Sequence, residues 1–182
     1  PLFRADIAFG DGRDVTLGNA CASTVNLIPN FRVVQKDFHD GYVHQWSVTV
    51  QHELLPRLLI DVGYVGNRGS KLYRQLNMNQ PRPGPGAVQA RRPYPQFGAM
   101  NMIASAARSE YHGLDVRAER RFSNGLSFLA SYTLSRARDD SSAYGGNYSD
   151  SNFPQDSQNL AGEWGPSNFD TPQRFVLSFI YE

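Results

Sequence analysis

The chain has 182 residues, a formal net charge of +1 and 40% hydrophobic residues, so it lacks the strong basic bias that marks a nucleic-acid partner. Its single cysteine, Cys21, excludes an internal disulfide and a thiolate metal cluster. No run of 18 apolar residues is present, which excludes a transmembrane helix on length, while aromatic residues reach 12% in an otherwise polar background.

In chain order, residues 1–42 read as a loop region, with short apolar runs only at 25–28 and 31–34. No leader-like segment opens the chain, and alternation is still running at Tyr181-Glu182, so both ends read as cuts through a longer protein. Beyond residue 42, five stretches carry apolar residues at period 2, the mark of a strand with two unlike faces. Along 43–54, Trp46, Val48, Val50 and Leu54 oppose Gln45, Ser47, Thr49, Gln51 and Glu53, with His52 interrupting the apolar column. Along 57–67, Leu58, Ile60, Val62 and Tyr64 oppose Arg57, Asp61, Gly63 and Asn67.

The third stretch, 111–122, sets Leu114, Val116, Ala118 and Phe122 against Asp115, Arg117, Glu119 and Arg121. The fourth, 126–137, sets Leu126, Phe128, Ala130, Tyr132 and Leu134 against a column dominated by Ser and Thr. Between these two stands Asn124-Gly125, a strong short hairpin signal, because the turn that joins twisted strands needs positive φ. The fifth, 173–182, aligns Phe175, Leu177, Phe179 and Tyr181 opposite a mixed column.

The connections alternate short, long, short, long. Hairpins at 43–67 and 111–137 are joined by a long loop, 68–110, and a second, 138–172, leads to the strand at 173–182. The first loop contains the Pro/Gly-rich run 77–98; the second is rich in Ser, Asn, Asp and Gly. Two such loops in series are uncommon in a soluble domain. They are the rule in outer-membrane barrels, with short periplasmic turns, long extracellular loops and strands showing one face to lipid. The fold expected is all-β, an antiparallel meander of about five transmembrane strands within a larger barrel.

No catalytic pattern emerges. Gly63, Gly66 and Gly69 lack the spacing and following helix of a dinucleotide loop. His39, His44, His52 and His112 lack metal-ligand spacing, and no Gly-x-Ser-x-Gly is present. Asp139, Asp140, Asp150, Asp156, Glu163 and Asp170 make the second loop acidic without matching a calcium loop. Arg82, Arg91 and Arg92 make the first loop basic, suited to an anionic ligand or simply to solvent. Asp115, Arg117, Glu119 and Arg121 alternate in sign along the column expected to face the lumen, and Arg120 stands on the apolar side near a strand end, where it can snorkel to headgroups.

The segments 42–54 (YVHQWSVTVQHEL), 61–70 (DVGYVGNRGS), 91–98 (RRPYPQFG), 109–140 and 169–182 (FDTPQRFVLSFIYE) resemble, in order, the barrel of Oar-like TonB-dependent transporters, receptors with an N-terminal carboxypeptidase-regulatory-like domain. The resemblance implies a barrel of about 22 strands around a plug domain, energised by the TonB complex. It makes the chain a fragment of an outer-membrane receptor, embedded in outer-membrane lipid, that imports a scarce nutrient such as a glycan, peptide or chelate, with neither enzymatic activity nor cofactor. Arg91, Arg92, Tyr94, Phe97, Tyr144, Tyr148 and Trp164 in the long loops are the candidate ligand contacts. The alternatives are a surface adhesin or structural barrel without transport, and a soluble β-sandwich in which the same columns are core and solvent faces.

Overall fold

A computed structural model describes residues 28–123, 125–142 and 153–182. Its strands are β1 (Phe31–Val34), β2 (Tyr42–Leu55), β3 (Leu58–Asn77), β4 (Met100–Ser123), β5 (Leu126–Asp139), β6 (Gly165–Pro166) and β7 (Gln173–Tyr181). The only other regular pieces among the described residues are single 3-10 turns at Gln89–Arg91 and Leu160–Glu163. β2, β3, β4, β5 and β7 form an antiparallel meander. β1 adds in parallel to the start of β4, and β6 adds to the end of β5. The sheet is a single open layer: β2 pairs with β3 alone and β7 with β5 alone.

Register carries the apolar columns of all five long strands onto one face. Val50, Val62, Val116, Tyr132 and Phe175 stand in one row across the sheet, because each is the direct partner of the next. The row below it is His52, Ile60, Ala118, Ala130 and Leu177, and the row above is Val48, Tyr64, Leu114 and Leu134. A slip of one residue in any strand would have turned its whole set to the other face, so this agreement specifies the sheet. The mixed column of β7 falls on the other face, where Val176 pairs with Ser131.

This apolar face lies open: Val50 is 65% exposed, Phe175 63% and Phe179 65%. A soluble sandwich would cover such a face with a second sheet, and none is present among the described residues; lipid is the solvent that suits it. The band runs from the Arg120 row to the His112 row on β4, about nine residues, the length a tilted strand needs to cross a bilayer. The opposite face is polar, with Arg117 paired to Glu119 at 2.6 Å and the Thr133 hydroxyl donating to Asp115 at 2.7 Å.

Two expectations are corrected. The first long loop is far shorter than 68–110, since β3 runs on to Asn77 and β4 already begins at Met100, leaving 78–99 between them. With 20 residues, β3 is roughly 66 Å long at about 3.3 Å per residue, and even at a 45° tilt it exceeds a hydrocarbon core of about 30 Å. The alternation that reveals a strand ends with the lipid, and a bulge between Gly69 and Leu72, where Lys71 takes φ 53°, breaks the period as well. Residues 1–42 likewise contain a strand, β1, at the apolar run Phe31–Val34. Around these extensions sits a small core of Leu76, Ala104 and Ala107, the only buried hydrophobic residues among those described.

Candidate ligand cleft between the long loops

Both long connections leave the same end of the sheet, and the tight turns at Pro56-Arg57 and near Gly125 lie at the other. Short turns face the periplasm and long loops the exterior, so the loop end is extracellular. Residues 78–99 are too rich in proline and glycine to pair as strands, and their backbone groups need other partners. Asn79, fully buried, provides them. Its amide nitrogen donates to the carbonyls of Tyr94 (3.0 Å), Phe97 (3.0 Å) and Gly98 (2.8 Å), and its side-chain oxygen accepts the Tyr94 N–H at 2.9 Å. The Gln89 amide donates to the carbonyls of Pro95 and Phe97 at 2.7 and 2.6 Å.

The candidate residues of this loop serve it in different ways. Arg92 donates to the Asn79 carbonyl at 2.7 Å and to Gln89 Oε1 at 2.9 Å. Arg91 donates to the Arg82 carbonyl. The Phe97 ring meets Phe31 edge-on at 5.1 Å, which fastens the loop to β1. Tyr94 is the free one, with half its surface exposed.

The second connection is anchored by charge. Asp140, nearly buried, lies 3.6 Å from Arg74 and 3.4 Å from Arg108, and Asp139 accepts hydrogen bonds from Ser142 and Ser167. Trp164 sits under two guanidinium groups, Arg108 at 4.6 Å and Arg138 at 5.2 Å, an arrangement that its ring quadrupole stabilises. Tyr144 and Tyr148 lie outside the described residues.

One side chain joins the two loops. The Gln80 amide donates to the Gln155 carbonyl at 2.6 Å while its oxygen accepts the Ser157 N–H at 2.7 Å, and the Ser157 hydroxyl accepts the Asn77 N–H at 3.0 Å. A primary amide here copies the donor and acceptor of a backbone strand. Beside this clasp lies a cleft of about 610 Å³, with Arg82 on the wall from the first loop and Asp156, Gln158, Asn159 and Glu163 on the wall from the second. Glu163 and Asp156 also accept backbone N–H groups of Gln155 and Gln158 at 2.8 Å, which fixes their carboxylates. Pro81 and Pro83 supply rigid apolar surface.

The cleft therefore presents fixed carboxylates, amides and one guanidinium, a set that hydrogen-bonds hydroxyl, amide or amine groups of a polar solute. Arg91, Arg92, Tyr94, Phe97 and Trp164 do not line it. Gln80, Gln158 and Asn159 were not legible in advance, because an isolated amide in a loop belongs to no motif and no period. No cluster of three metal-ligating side chains occurs among the described residues.

A single-layer antiparallel sheet with a lipid-facing apolar band, tight turns at one end and built loops at the other defines a stretch of membrane-spanning β-barrel. The comparisons agree: a family model described as an outer membrane β-barrel domain matches residues 8–182, nearly the whole chain. The chain belongs to that family, and its place is the bacterial outer membrane. No curated protein and no solved structure matches it significantly.

Proposed function

We propose that the chain forms part of a TonB-dependent outer-membrane receptor that captures a scarce polar nutrient at its extracellular end and imports it, with no chemical step of its own. The observation that carries the reading is the cleft held between two separate loops by Gln80. A barrel that only tiled the surface has no need to clasp its loops around a polar cavity, whereas a receptor needs preorganised walls. The ordered resemblance of 42–54, 61–70, 91–98, 109–140 and 169–182 to Oar-like transporters supports the same reading and implies a plug domain and the TonB complex as partners.

Growth-limited cells expressing the protein, supplied in turn with oligosaccharides, oligopeptides or chelated iron, test the proposal. Uptake of one class should depend on the protein, stop when the proton gradient is collapsed, and fall roughly tenfold in Gln80→Ala, which removes the two inter-loop hydrogen bonds, worth about 1 kcal/mol each. Unchanged uptake of every class, accompanied by a loss of surface attachment on deletion, would establish the adhesin instead.

A further inference from the structure

Above the lipid band the outward face changes character. The row containing Trp46, Gly66 and His112 ends at Arg136, and the next row is His44, Arg68, Glu110 and Arg138. No bulge intervenes between these positions and the apolar rows, so all point to the same side as Val50 and Phe175. Trp46, Tyr64 and His112 mark the boundary as an interfacial aromatic cluster, with ring centroids 6.2 Å apart from His112 to each of the other two.

The one carboxylate in these rows is already engaged. The Tyr64 hydroxyl bonds His112 Nδ1 at 2.7 Å, and His112 Nε2 bonds Glu110 Oε1 at 2.6 Å. Glu110 thus spends its direct bond on His112; it feels the charges of Arg68 and Arg138 on its flanks but forms a direct ion pair with neither. Arg68 and Arg136 are exposed, and among the described residues neither forms an ion pair or a hydrogen bond through its side chain. Arg68 and Arg138 stand two strands apart, about 10 Å at the usual strand spacing.

We propose that Arg68 and Arg136, with Arg138 beside them, form an outward-facing site for the phosphate groups of the lipid headgroups in the outer leaflet. Position and charge both select this occupant. The site lies directly above the apolar band, at headgroup height, and the exposed guanidinium forks of Arg68 and Arg136 match phosphate oxygens bidentately. A soluble anion gains nothing from that height, whereas a headgroup is delivered there by its own acyl chains.

The test uses the full-length protein purified from outer membranes in neutral detergent, its folded state checked by heat-modifiable gel migration. Binding is titrated with micelles of phosphorylated glycolipid, the same glycolipid after enzymatic dephosphorylation, and inorganic phosphate. The phosphorylated lipid should bind most tightly, and Arg68→Gln with Arg136→Gln should weaken it by roughly thirtyfold. Arg68→Lys with Arg136→Lys should retain most of the binding, and Arg120→Gln, on the same face at the turn end, should leave it unchanged. Equal binding of the dephosphorylated lipid by the unaltered protein would overturn the proposal even if the variants failed to fold. Equally tight binding of inorganic phosphate, or an equal loss in Arg120→Gln, would overturn it too.

Discussion

At Gly66 the outward face of β3 carries only a hydrogen, and the indole of Trp46, its direct partner on β2, lies over the space that this leaves. Any Cβ added to Gly66 would collide with the Trp46 ring. The glycine is thus a packing partner of the tryptophan, a pairing that restores to the sheet the apolar cover a glycine removes. Replacing it with leucine should force the indole off the sheet and cost about 1–3 kcal/mol by overpacking. Trp46 and Trp164 are the chain's two tryptophans, so fluorescence of Gly66→Leu in detergent, compared in a Trp164→Phe background, reads the displacement directly. An emission spectrum identical to that of the parent would show that the indole is not displaced and that its seat does not depend on Gly66.

At the scale of single elements, the loop 78–99 depends on Asn79 more than on any other side chain. The residue offers two N–H groups to three carbonyls and one oxygen to an incoming N–H, all without exposure to water. Asn79→Asp keeps the shape and replaces the donors with a second acceptor facing those carbonyls. The loss should be about 3 kcal/mol or more, confined to the loop, because a buried acceptor facing acceptors has no relief. Limited proteolysis should then cut within 81–95 while the strands stay protected; an unaltered digestion pattern would refute this role. The same elements show what the sequence discloses. The membrane halves of β2, β3, β4, β5 and β7 were legible because lipid on one face and water on the other impose a two-residue period. The extensions Lys71–Asn77 and Met100–Ser109 were not, because neither face meets lipid there and the pattern has no cause. The cleft was legible only as loop charge, in Arg82, Asp156 and Glu163; which of those charges converge depends on Gln80, whose partners lie 75 and 77 positions away.

On the scale of the whole molecule, the sheet has an apolar face without a covering layer and two lateral edges, on β2 and β7, with no partner among the described residues. Each condition alone exposes a protein to association, one through apolar surface and the other through unpaired N–H and C=O groups. In the outer membrane both are met together: lipid covers the band, and closure of the barrel by further strands pairs the edges. The buried core of Leu76, Ala104 and Ala107 is too small to hold five long strands in water, since burying each such side chain contributes at most about 1.5–3 kcal/mol. The 182-residue chain alone should therefore aggregate in plain buffer and disperse only with detergent. Analytical ultracentrifugation with and without detergent distinguishes the outcomes. A monomer in plain buffer that unfolded in one cooperative step would mean that the apolar face is covered by something other than lipid, and the placement of the sheet in the membrane would have to be abandoned.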